Sequence, residues 1–285
     1  MAVENPTPTP APAKGARSEL MLRILSAAVL APLAVLTAYL GGWPFVIFWT
    51  LAACGIMWEW RKIVAQPGDM FGIAGEFTIA LAGACTLLGL GASMLPFIGL
   101  GAVVVGIGAR TNPLRLWVAA GVLYAGALLF ACVSLRADPG HGFVAIIFLF
   151  GVVWATDILG YFVGRFVGGP KLWPRVSPKK TWSGAIGGAL GAIVAGLAVA
   201  RYAHLTNSLA IIRLALLLSA VSQAGDLFES AFKRRFGVKD AGHVIPGHGG
   251  LMDRLDGFVA AALVAVMIGI TRGDFSAPAR GLLVW

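Results

Sequence analysis

Six of the 13 acidic residues fall in or beside the last four apolar stretches of the chain: Asp157, Asp226, Glu229, Asp240, Asp253 and Asp256. An ionised carboxylate in lipid is costly and marks either a paired charge or a functional site. Asp157 interrupts an apolar run and Asp226 closes another, so each is half of an ion pair fastening two helices or part of such a site. Asp226, Ser230 and Lys233 are spaced i, i+4, i+7 and share one helical face. A carboxylate, a hydroxyl and an ammonium in one stripe can hold a metal ion and the phosphate it neutralises. The segment that follows contains Lys239, Asp240, Gly242, His243, Pro246, Gly247, His248, Gly249 and Gly250. Glycines let backbone amides approach a polyphosphate closely, and neighbouring Lys or Arg neutralise its charge. Asp253 and Asp256, three apart at a helix start, can face one Mg²⁺ ion or a pair of them. Alone, the same spacing equally suits a helix-capping carboxylate favoured by the dipole; beside the stripe and the glycine-rich loop, the metal reading is the stronger.

Several other chemistries are excluded. His243 and His248 are five apart with no Cys or third His nearby, which does not suit zinc and leaves hydrogen bonding or phosphate contact. The chain has no phosphate-binding Gly-x-x-x-x-Gly-Lys-Ser/Thr loop, no His-Glu-x-x-His and no nucleophile elbow. Cys54, Cys85 and Cys132 lie in apolar segments without Cys-x-x-Cys spacing, as small buried hydrophobes do. The net charge of +9 does not indicate nucleic acid, because the basic residues sit in short loops between apolar runs.

Those acids must be positioned by membrane helices. The 285 residues are 58% hydrophobic and 12% charged, with a mean hydropathy of +0.84, which is the membrane class. A spanning helix needs roughly 20 apolar residues for a core about 30 Å thick. Nine runs approach this length: 21–40, 44–58, 71–90, 95–109, 116–135, 142–163, 184–200, 209–225 and 255–270. Residues 1–18, rich in Pro, Ala and Thr and without an apolar core, are expected to form a disordered tail that is not a cleavable signal. With nine spans and the N-terminus inside, 17 of the 22 Lys and Arg fall on the cytoplasmic side, as the positive-inside rule requires. The expected fold is therefore all-α, a polytopic membrane protein with about nine transmembrane helices, divided into N-terminal helices over 19–141 and a catalytic region over 142–285. Both long polar loops, 164–183 and 233–254, are then cytoplasmic. Gly184, Gly187, Gly188 and Gly191 form overlapping small-xxx-small pairs that would let two helices approach closely.

From Ser230 to Asp256 the pattern Ser230-x-Phe232-Lys233-Arg234-x(4)-Lys239-Asp240-x-Gly242-x(2)-Ile245-Pro246-x-His248-Gly249-Gly250-Leu251-x-Asp253-Arg254-Leu255-Asp256 resembles the signature of the phosphatidate cytidylyltransferase family. Ser177-Pro178-Lys179-Lys180-Thr181-Trp182 is similar to a second stretch of that family, as is Asp157 with Tyr161, Gly164 and Arg165. Ser183 departs from it, standing where such enzymes usually have Glu. The resemblance covers residues 157–256, whereas the first five runs match only in being apolar. It implies that CTP and phosphatidate give CDP-diacylglycerol and pyrophosphate with Mg²⁺, at the cytoplasmic face of a bacterial inner membrane. It further implies that Asp226, Asp253 and Asp256 bind the metal, with Lys233 beside them in the catalytic set. Ser177, Lys179, Lys180, Ser230, Arg234, Lys239, His248 and Arg254 would then contact substrate. The bilayer is the surrounding partner, and assembly as a homodimer is left open. Two rivals weigh against this reading: a CDP-alcohol phosphatidyltransferase, whose Asp-Gly pattern is not continued after Asp256-Gly257, and a non-catalytic lipid transporter.

Overall fold

A computed structural model of the chain describes residues 14–64, 70–108, 114–242 and 249–285. Each of the nine apolar runs overlaps one long helix over most of its length: α1 (Lys14–Leu40), α2 (Gly42–Val64), α3 (Met70–Leu87), α4 (Met94–Gly108), α5 (Arg115–Ala137), α6 (Gly142–Phe166), α7 (Trp182–Tyr202), α8 (Ser208–Arg235) and α9 (Met252–Arg272). A short α10 (Pro278–Leu283) follows. Seven of these, α3 to α9 with a 3₁₀ turn leading into α4, are long and apolar enough to cross a membrane. In α2 the polar residues Glu59, Arg61 and Lys62 crowd the last two turns. The helix α1 begins at Lys14, inside the stretch expected to be a tail. Pro12 is the last proline before it, and helix-forming residues follow. The rest of that expected tail lies outside the described residues.

Among the described residues, one element departs from an all-α fold. Between α6 and α7 the chain forms an antiparallel hairpin, β1 (Lys171–Trp173) and β2 (Ser177–Thr181), with Lys171 opposite Thr181 and Trp173 opposite Ser177. Gly168 and Gly169, at φ +66° and +105°, reverse the chain after α6 in a conformation that side chains disfavour. Strands of three and five residues, Lys-Leu-Trp and Ser-Pro-Lys-Lys-Thr, are too short to carry an alternating pattern, so sequence periodicity does not reveal them. Thr181 then caps α7, its Oγ1 accepting from Gly184 N at 3.1 Å.

The glycine stripe of α7 lies directly on α6. A Cβ at Gly184 would come within 2.6 Å of Gly160 O, and one at Gly188 within 2.6 Å of Thr156 O, so the two backbones touch where glycine alone fits. Behind this pair, the Thr156 and Ser219 hydroxyls meet at 2.9 Å between α6 and α8. Aromatic rings join the N-terminal helices to the C-terminal ones. Trp49 of α2 stacks on Phe258 of α9 at 5.2 Å, and Trp60 stacks on Phe232 of α8 at 4.0 Å while donating Nε1–H to Trp117 O of α5. At the opposite end of the bundle, Arg136 donates to Ala38 O and Asp138 accepts from Arg280 N, tying α5 to α1 and α10.

Candidate active site

A cavity of about 770 Å³ opens among α6, the hairpin, α7, α8 and α9. Its wall holds Asp157, Tyr161 and Arg165 from α6; Lys171, Lys179 and Lys180 from the hairpin; Gln223 and Asp226 from α8; and Asp253, Arg254 and Asp256 from α9. Four carboxylates thus share one space with five cations. The small residues at Gly160, Gly164 and Gly184, where α6 and α7 meet, keep bulk out of the wall.

The acids are held in different ways. Asp226 forms an ion pair with Lys180, and Ser230 Oγ donates to its Oδ1 at 3.4 Å, as the shared helical face requires. Asp256 Oδ1 accepts from Gly257 N at 2.7 Å. Asp253 carries the most bonds: Lys233 Nζ at 2.5 Å, Gly250 N at 2.9 Å and Ala241 N at 3.0 Å. It therefore ties the loop to the start of α9, whose N-cap residue, Leu251, makes no side-chain cap bond. Lys233 also meets Glu229 Oε2 at 2.7 Å, forming a nearly buried triad of Glu229, Lys233 and Asp253 with side-chain exposures of 1%, 12% and 10%.

The sequence-derived site is thus brought together in part. Asp226, Asp253, Asp256, Lys179, Lys180 and Arg254 line the cavity. Ser230 sits behind Asp226, and Lys233 behind Asp253. Ser177 pairs with Trp173 in the hairpin, Arg234 donates to Val238 O at 3.3 Å, and Lys239 is exposed. His248, with His243, lies outside the described residues.

Three residues escaped the sequence-derived site. Arg165 and Lys171 join the cavity; Arg165 belongs to the family-like stretch that begins at Asp157, and the hint for Lys171 is its closeness in the chain to the Lys179–Lys180 pair. Glu59, fully buried in α2, accepts from Leu251 N at 2.8 Å and Met252 N at 2.7 Å from across the chain. A single acid near Arg61 and Lys62 carries no signal of that partner.

Among the described residues, no three His, Cys, Asp or Glu side chains converge as a preformed metal cage. Mg²⁺ does not require one. It commonly uses one or two carboxylates and completes its shell with substrate phosphates and water. Carboxylates opening onto a single cation-lined cavity fit that mode.

Residues 21–271 match the pattern of the cytidylyltransferase family. A phosphatidate cytidylyltransferase of Brucella abortus is 42% identical over 254 residues, covering 88% of this chain and 94% of that protein. Shorter alignments join it to proteins of the same name from Haemophilus influenzae, 42% identical over 142 residues (48% of this chain, 49% of that protein), and Staphylococcus epidermidis, 45% identical over 120 residues (42% and 46%). With a family match across most of its length and a relative aligned nearly end to end, the chain belongs to the cytidylyltransferase family.

Proposed function

We propose that this chain is a phosphatidate cytidylyltransferase, joining CTP and phosphatidate into CDP-diacylglycerol with release of pyrophosphate. The observation that carries the reading is one cavity in which four carboxylates face five cations, in a chain that aligns nearly end to end with a protein named for this reaction.

Both substrates are anions, so the barrier is largely their mutual repulsion, and positioned positive charge addresses it directly. A phosphatidate oxygen attacks the α-phosphorus of CTP in line. The new P–O bond forms as the bond from the α-phosphorus to the bridging oxygen breaks, and that electron pair leaves on pyrophosphate. Phosphate monoesters are already nucleophilic anions, so no strong general base is required. Lys179, Lys180 and Arg254, joined by Arg165 and Lys171, neutralise the phosphates from opposite walls of the cavity. Asp226, Asp253 and Asp256 are the residues to hold Mg²⁺, one ion or two. Bound there, the metal supplies positive charge to the reacting and departing phosphate oxygens. Lys233 acts from behind, keeping Asp253 turned to the cavity.

In this reading all nine long helices cross the inner membrane of a bacterium, with the N-terminus and the cavity mouth in the cytoplasm. The positive-inside distribution supports that orientation. A reporter fused at the C-terminus should then be periplasmic, and one inserted near Pro246 cytoplasmic; both on one side would overturn the arrangement. The activity is tested with purified protein in detergent given CTP, phosphatidate and Mg²⁺. Pyrophosphate should appear only when all three are present. Release without phosphatidate, or turnover of a CDP-lipid instead of CTP, would refute the assignment.

A further inference from the structure

We infer that Glu59, although it lies outside the cavity on a helix of the N-terminal half, is a positioning residue for the acids of α9. The inference rests on the cavity being the reaction site.

The start of α9 poses a local problem. The first backbone N–H groups of a helix have no partner within it and form the positive end of its dipole. A side chain at the N-cap usually answers them, but Leu251 occupies that position and cannot. Glu59 answers them instead from α2, 192 residues away in sequence, with one carboxylate oxygen on each of the Leu251 and Met252 amides. The carboxylate is wholly buried.

The same carboxylate defines the space allowed to the loop. A Cβ at Gly250 would lie 2.9 Å from both Glu59 oxygens and 2.9 Å from Asp253 Oδ2. A Cβ at Gly242 would lie 2.8 Å from Glu59 Oε1. Glu59 and Asp253 thus converge on the same side of Gly250, and Asp253 also takes the Ala241 and Gly250 amides. Met252 is adjacent to Asp253, and Asp256 follows one turn later. Whatever fixes the Met252 amide fixes the direction in which both acids leave the helix. A supporting group of this kind commonly changes metal affinity or activity by about 10- to 100-fold when it is removed.

The rival account is that Glu59 merely fastens α2 to α9. Glu59→Gln separates the two, because it keeps the shape while replacing one of the two acceptor oxygens by a donor that faces an N–H. Turnover per folded molecule, the KM for CTP, the Mg²⁺ concentration giving half-maximal rate, and hydrogen exchange at the Leu251 and Met252 amides would be measured together in detergent. Positioning predicts a fall in kcat of about 10-fold or more, a several-fold higher Mg²⁺ requirement, a KM for CTP within about threefold, and faster exchange confined to the start of α9. Wild-type kcat and Mg²⁺ dependence, or a loss that only tracks the folded fraction, would overturn the inference. Should Glu59→Gln not fold, Gly242→Ala pushes Glu59 from the loop side, where its added Cβ would meet Glu59 alone, and is judged by the same readings. If the wild-type protein turns over no CTP, the functional assignment fails while the exchange measurement still tests the clamp.

Discussion

The two walls of the cavity are built on opposite plans. The acidic wall, from α8 and α9, is anchored from behind. Asp253 is fixed by Lys233 and two loop amides, Lys233 by Glu229, and the start of α9 by Glu59. The basic wall rests largely on a two-stranded hairpin beside α7, where Lys179 is exposed and Lys180 is only half-buried against Asp226. Such a division suits the proposed reaction between two anions: carboxylates placed to share a metal would need fixed geometry, whereas cations placed to meet a lipid phosphate and a nucleotide would have to tolerate changing partners. It also divides cost differently, since removing one member of a buried charge network is severe and removing an exposed one is mild.

The sharpest way to break the comparison is Lys233→Met, which keeps the aliphatic stem but leaves Glu229 and Asp253 as neighbouring buried carboxylates without their cation. A loss of about 3 to 5 kcal/mol in stability is expected, with activity falling alongside. Thermal inactivation in detergent or lipid nanodiscs is the check, and a variant as durable as wild type would show that the acidic wall is not held from behind. Asp253→Asn comes next. It preserves shape and can still accept the Ala241 and Gly250 amides, yet it removes the negative charge that a cation needs. Activity should drop by about 100-fold or more, the scale of losing a preorganised charged group at a reacting centre. Near-normal turnover across a Mg²⁺ titration would leave Asp253 a tie for the loop and pass the metal to Asp226 and Asp256.

How much of this was legible depended on whether a residue's neighbours lay close in sequence. Each apolar run sits on one helix, because burying a long run in lipid with its amides satisfied leaves few alternatives. The cluster of Asp226, Asp253 and Asp256 was legible because acids beside apolar runs are rare. The bond from Ser230 to Asp226 follows directly from the i, i+4 spacing. Lys233 shares that face, but whether its ammonium meets a phosphate or Asp253 depends on where α9 lies, which spacing within α8 does not encode. Glu59 was illegible for the same reason, more strongly, as its partners are backbone amides far along the chain. The hairpin was hidden because strands of three and five residues are too short to show a period. The N-terminal half, expected from its motifs to match the family only in being apolar, lies within the matched residues 21–271 and supplies Glu59, Trp60 and Trp117 to the supports beneath the site.

The mildest effects belong to the basic wall, and they should differ between adjacent lysines. Lys179→Ala removes an exposed cation, so stability should change by less than about 1 kcal/mol, while the KM for one substrate rises by about tenfold, roughly one charge-assisted phosphate contact. Lys180→Ala removes a similar contact but also releases Asp226, whose carboxylate then faces Asp157 and Asp256 across the cavity without its nearest cation. That variant should lose kcat as well as affinity. Raising the Mg²⁺ concentration should restore part of its kcat, because a divalent ion can take up the charge that Lys180 balanced. Salt separates the two further. Screening shortens to about 8 Å near physiological ionic strength, so added NaCl should raise the wild-type KM by a larger factor than that of Lys179→Ala, which has one fewer exposed cation to screen. Equal responses of both lysine variants to Mg²⁺ would mean that Asp226 does not depend on Lys180, and the two walls would then be independent of each other.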